Sequence, residues 1–161
     1  MTTLNTYTKY LRSFFLFAAL IASPAAKADP ELINLDCLAK VVYYEARGEG
    51  EMGMLAVAWV VLNRVMHPNY PKTICEVVYQ KKQFSWTAKE PKPVYNEMMY
   101  KSVEIAMTAL DLHARDAPPP AIRPLKKALF FDSLGRMAGD PSVRLGNHNF
   151  SERAPRRKVA G

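Results

Sequence analysis

From Gly53 to Met66 the chain reads Gly-Met-Leu-Ala-Val-Ala-Trp-Val-Val-Leu-Asn-Arg-Val-Met, with polar side chains only at Asn63 and Arg64. Leu55, Ala58, Trp59, Leu62 and Val65 recur at helical spacing, while Val57, Val60 and Val61 make most of the remaining circumference apolar. A helix with no polar face has to be enclosed by other elements. The chain must therefore wrap further helices around residues 53–66. One is predicted from about Asp36 to Arg47, where Leu35, Leu38, Ala39 and Val42 mark a buried face and Gly48 and Gly50 end the run. Thr73-Ile74-Cys75-Glu76 is a capping box that opens a short helix reaching about Tyr79. Lys81 to Pro93 reads as a polar loop. Val94 to His113 reads as a helix with Met98, Ile105, Ala109 and Leu112 toward the core. Pro118-Pro119-Pro120 breaks regular structure. Ala128-Leu129-Phe130-Phe131 and Asn149-Phe150 read as paired strands joined by a Gly-containing loop. The expected fold class is α+β, predominantly helical, with a short C-terminal β-hairpin.

The first residues read as an address. Lys9 and Arg12 precede an almost wholly apolar run from Ser13 to Ser23, and Ala26-Lys27-Ala28 supplies small residues at the A-x-A positions. This predicts a signal peptide over 1–28, cleaved after Ala28, and hence a periplasmic or secreted protein. The apolar run is too short to span a bilayer well, so membrane attachment is expected only through an uncleaved signal. Removing Lys9, Arg12 and Lys27, with no acids, lowers the formal charge from +7 to +4. That modest excess suits an anionic polymer, and no nucleic-acid motif accompanies it. Residues 29–152 are long enough for a single catalytic domain, expected to act as a monomer. Residues 153–161 form a basic tail. Cys37 and Cys75 are an even pair, which in an oxidising compartment points to a disulfide. Each also stands in an apolar helical context that suits a buried thiol. Without CxxC, H-E-x-x-H or a calcium loop, neither metal nor cofactor is expected.

The chemistry concentrates in Val42-Tyr43-Tyr44-Glu45-Ala46-Arg47-Gly48-Glu49-Gly50-Glu51. Glu45 follows Val42 by three residues and so lies on or beside the buried helix face. A carboxyl held against an apolar wall has its pKa raised and becomes a general acid, whereas a solvated helix end would leave it ordinary. Glu49, one turn further, has two readings: an auxiliary acid beside Glu45, or an ion-pair partner of Arg47 or Arg64. Of Tyr43 and Tyr44, one belongs to the core, because adjacent helix residues point about 100° apart.

Residues 41–66, with Gln83-Phe84-Ser85-Trp86 and Gly146-Asn147-His148-Asn149-Phe150 following in order, resemble the bacterial cell-wall hydrolase family that includes the spore-cortex-lytic enzymes. The resemblance covers roughly residues 36–152. It implies a small lysozyme-like domain that cleaves peptidoglycan glycan strands between MurNAc and GlcNAc as a lytic transglycosylase. Glu45 would be the single general acid and then base. The substrate set is expected to be Tyr43, Glu49, Gln83, Phe84, Ser85, Trp86, Asn147 and His148, in a groove between the first helix, the Gln83 loop and the hairpin. Gln83 and Ser85 offer polar groups to sugar hydroxyls, and Phe84 or Trp86 a stacking face. The alternative for this loop is a segment pinned to the core by its aromatics. His148 either orients substrate, bonds the catalytic glutamate, or is structural. The family pattern often has Asp-Gly after the second motif, where this chain has Thr87-Ala88-Lys89-Glu90-Pro91, a departure that bears on subsite preference. Three other activities compete: a muramidase-type hydrolase with a second carboxylate, a stem-peptide hydrolase using Cys37 with His148, and a non-catalytic peptidoglycan-binding protein.

Overall fold

The computed structural model describes residues 28–89, 92–133 and 143–154. The predicted signal peptide up to residue 27, the loop positions Glu90 and Pro91, the connection 134–142 and most of the basic tail lie outside the described residues.

Helix α1 spans Pro30–Ala46. It begins earlier than its apolar periodicity indicates, because Asp29 caps it by accepting from the Glu31 amide at 2.9 Å and Pro30 occupies the first turn. Helix α2 spans Glu51–Met66, and every residue from Gly53 to Arg64 is buried. The turn between them is short and closed by the Glu49 amide donating to the Ala46 carbonyl. Helix α3, Ile74–Val78, carries the expected cap, with the Thr73 side chain accepting from the Glu76 amide. A single 3-10 turn, Ser85–Ala88, interrupts the long loop.

Helix α4 spans Glu97–Ala114 behind an Asn96 cap. Its buried stripe is Ser102, Ile105, Ala106 and Ala109. Met98, expected in the core, is on the first turn and 37% exposed, outside that stripe. Helices α1, α2 and α4 pack mutually, and α3 packs against α1 and α2. In this way α2 acquires cover on its whole circumference, which its sequence requires.

The sheet has three antiparallel strands in the order β1-β3-β2, with β1 Phe130–Ser133, β2 Val143–Leu145 and β3 His148–Ser151. The expected strand pair is present, with Phe131 opposite Phe150. The sequence pattern had not resolved β2, which makes the hairpin proper with β3. Gly146 and Asn147 turn that hairpin, and Gly146 takes φ +58 at the first turn position, where a two-residue II′ turn needs it. As the central strand, β3 is buried at all four residues.

Two links fasten these layers. Arg64, 2% exposed, donates from Nε to the Leu129 carbonyl at 2.7 Å. Its guanidinium also lies over the rings of Tyr70, Phe84 and Phe130. The Gln83 amide oxygen, oriented to satisfy both its atoms, accepts from Arg64 Nη1 at 2.8 Å. The second link is covalent: Cys37 of α1 is bonded to Cys75 of α3, closing a separation of 38 residues. By chain entropy such a loop contributes roughly 4 kcal/mol. The double variant Cys37→Ala/Cys75→Ala is expected to lose about that much in urea unfolding, with the transition slope m serving as a check on the unfolded state.

Candidate active site

Glu45 is the penultimate residue of α1, half-buried at the protein surface. Its Oε1 accepts a hydrogen bond from the Trp86 indole Nε1 at 2.9 Å. Among the described residues, Oε2 has no hydrogen-bond partner. Burial raises the carboxyl pKa, and the Trp86 hydrogen bond offsets only part of that effect. The group is thus biased toward its protonated form while one oxygen stays free to reach an incoming molecule.

Trp86 is held by other rings. It stacks on Tyr44 at 4.7 Å, meets Tyr79 edge-on at 6.2 Å and stacks with Phe84 at 6.0 Å. Phe84 is 5% exposed and continues to Phe131 and from there to Phe150. The pinned-loop reading of the second motif therefore applies to part of it. Phe84 and Gln83 pin the loop, one in the core and the other on Arg64, while Ser85 is exposed and Trp86 reaches the carboxylate.

Of the two tyrosines, Tyr43 is the core residue. It is 6% exposed, accepts from Asn96 Nδ2 at 3.0 Å, and lies under the Arg47 guanidinium. The hydrogen bond from Asn96 and the nearby Arg47 lower its pKa. Tyr44, one residue on, faces Trp86. The 100° step between neighbours had indicated such a split without saying which ring would go where.

Glu49 matches neither sequence reading. α1 ends at Ala46, so Glu49 is on the turn rather than on the helix face below Glu45. Its Oε2 accepts from the Asn147 amide at 2.9 Å and its Oε1 from Asn147 Nδ2 at 3.1 Å. His148 Nδ1 is 3.6 Å from the same Oε1. Burial acts to raise the Glu49 pKa, but the two Asn147 hydrogen bonds and His148 prevail and hold it below the ordinary value. A methyl group on Gly53 would come within 2.7 Å of Glu49 Cβ, and one on Gly146 would overlap its carboxylate. Two glycines thus make the slot in which Glu49 fastens the β2–β3 turn to the α1–α2 turn.

His148 is 8% exposed and packed edge-on against Phe131. Burial lowers its pKa against the opposing pull of Glu49 and Asp132. Its polar contact runs to Glu49, not to Glu45. Asn147 is exposed but bonded to Glu49 through both nitrogens. The third motif therefore docks the sheet onto the α1–α2 turn through Asn147 and buries its strand residues His148, Asn149 and Phe150. Cys37 is consumed by its disulfide, which removes the thiolate needed by a Cys37–His148 hydrolase. Among the described residues no group of three or more His, Cys, Asp and Glu side chains is arranged to hold a metal ion.

The sequence model for the Cell Wall Hydrolase family matches residues 48–150. This chain belongs to the cell wall hydrolase family. The match begins three residues after Glu45 and includes the second and third motifs. The spore cortex-lytic enzyme of Bacillus subtilis (strain 168) is 31% identical over 128 residues, covering 74% of this chain and 37% of that relative. The enzyme of the same description from Bacillus cereus is 36% identical over 81 residues, 48% of this chain and 30% of the relative. The chain therefore spans about a third of the length of these relatives. The crystal structure of the catalytic domain of the Bacillus cereus SleB protein superposes with a TM-score of 0.55 at 25% identity, over 79% of this chain and 93% of that one. The expected small, mainly helical, lysozyme-like domain is thus the fold observed.

Glu49 yields a prediction for this member of the cell wall hydrolase family. Its pKa is depressed in the folded state, so its ionised form contributes stability above the unfolded carboxyl pKa, and that contribution fades as pH falls through the folded value. Glu49→Gln faces Asn147 with a donor and is expected to cost about 2 kcal/mol at neutral pH. The gap to wild type should narrow in acid. Thermal unfolding scans across pH check both the size and the direction.

Proposed function

We propose that the protein is an exported lytic transglycosylase that cleaves peptidoglycan glycan strands between MurNAc and GlcNAc. The observation that carries this reading is the Glu45 carboxyl, partly desolvated, steadied through one oxygen by Trp86 and open at the other. Family membership and the likeness to spore cortex-lytic enzymes support the substrate class.

The steps use one carboxyl group. Glu45 donates its proton to the bridging oxygen, the MurNAc C1–oxygen bond breaks, and the GlcNAc hydroxyl departs. Positive charge then develops at C1, next to a carboxylate that is now ionised. Glu45 next takes the proton of the MurNAc 6-hydroxyl as that oxygen closes on C1, giving a 1,6-anhydro product and restoring the acid. No water is consumed. A two-carboxylate hydrolysis would need a second free acid, and the adjacent acid in the motif, Glu49, has both oxygens engaged with Asn147.

Glu45→Gln keeps the shape but carries no transferable proton. It is expected to lower release of soluble fragments from purified sacculi roughly a thousandfold while binding persists. Mass spectrometry of wild-type fragments should find 1,6-anhydro-MurNAc ends. Reducing MurNAc ends would overturn the transglycosylase step in favour of a muramidase, and intact strands with bound protein would overturn catalysis altogether.

The Trp86 hydrogen bond gives an independent check. It stabilises the ionised form of Glu45, so Trp86→Phe raises that pKa further. Because the reaction begins from the protonated acid, the alkaline limb of the kcat/KM profile is expected to move to higher pH in Trp86→Phe.

A further inference from the structure

Lys40, Tyr44 and Tyr79 have no part in the proposed reaction. Lys40 precedes Tyr44 by four residues on α1, so the two share a helix face. Its Nζ lies 2.5 Å from Asp36 Oδ2. A solvated i,i+4 pair leaves both partners in water, but here the Asp36 side chain is 59% exposed and that of Lys40 only 25%. Lys40 is also within electrostatic range of Tyr79 and Tyr44. Tyr79 is 45% exposed and touches the edge of Trp86, whose indole binds Glu45. Passing outward from the carboxyl, the surface runs from Trp86 to Tyr44 and Tyr79, with an ammonium group beside them.

We propose that Lys40, Tyr44 and Tyr79 form a subsite that recognises a carboxylate-bearing substituent on the glycan strand. The inference rests on Glu45 being the cleavage centre, since that is what makes this strip part of the groove. Exposed aromatic faces accept the apolar face of a pyranose. A half-buried ammonium adds charge recognition, and it has three donors, of which Asp36 occupies one. Asp36 is 59% exposed, so water takes over its carboxylate where an incoming group shares or displaces its hold on Lys40. The carboxylate has two chemical sources on a peptidoglycan strand: the stem peptide, or the free lactyl group of muramic acid once the peptide is removed.

Binding separates this proposal from the catalytic one. In a Glu45→Gln background, where turnover is expected to be slow enough to leave ligands intact, the Kd is measured with and without Lys40→Gln on three ligands. These are peptide-bearing strands, amidase-stripped strands with free lactyl groups, and neutral GlcNAc oligomers. Lys40→Gln is expected to weaken binding of at least one anionic form about tenfold, the worth of one charge-assisted hydrogen bond, and to leave the neutral oligomer unaffected. The difference should shrink as salt rises. Loss confined to peptide-bearing strands assigns the stem peptide, loss confined to stripped strands assigns the lactyl group, and loss on both assigns either carboxylate. Equal loss on all three ligands, or none on any, overturns the subsite. Tyr79→Ala should weaken all three forms, and unchanged binding in that variant would remove the aromatic part. Wild-type protein that binds strands with this pattern yet releases no fragments would overturn the transglycosylase reading and leave the subsite standing.

Discussion

Helix α2 has no side that can face water, and the rest of the molecule is arranged to meet that requirement. α1 and α4 cover much of it, α3 and the sheet close what remains, and the covering elements thereby acquire fixed relative positions. The exception within α2 is Arg64, a charged group in the interior whose burial is tolerated only with compensation. Its compensation comes from the Leu129 carbonyl, the Gln83 amide and three aromatic rings, all on later segments of the chain. The most costly side chain of the core is thus also what ties the Gln83 loop and the sheet to it.

That arrangement separates two glutamates only four residues apart. Glu45 ends a helix against an aromatic wall and meets one donor, so burial governs it and raises its pKa. Glu49 lies past the helix end, in a slot cut by Gly53 and Gly146, and meets several donors, so hydrogen bonding governs it and the ionised form prevails. Identical side chains take up opposite tasks: one remains chemically available, the other becomes a structural anchor. The helix stop at Ala46 produces the difference, since a helix continued through Gly48 would have stacked both acids on one face.

Much of this was legible in the residues. The period of Leu55 to Val65, the capping box at Thr73 and the strand character of Phe130-Phe131 and Asn149-Phe150 are local or strongly patterned signals, and each has its counterpart in the fold. The buried-face position of Glu45 followed from its spacing to Val42. What was not legible depends on contacts distant in sequence. β2 is three residues long and has too little pattern to register. The fate of Glu49 depends on a turn about a hundred residues later, and that of His148 on being in the central strand, where both faces are covered. Tyr79 carries no local mark at all, because its place beside Trp86 arises only when α3 packs against α1.

The rings from Tyr44 through Trp86 and Phe84 to Phe131 and Phe150 form an unbroken series from the surface beside Glu45 to the centre of the molecule. No shear plane separates the wall of the site from the interior. To swing the Trp86 loop aside, Phe84 would have to leave the core and Gln83 to release Arg64, so opening of this wall is opposed by both burial and hydrogen bonding. The wall beside Glu45 is in this sense an outward extension of the core: the indole that holds the carboxyl is itself held by the packing that holds the molecule together.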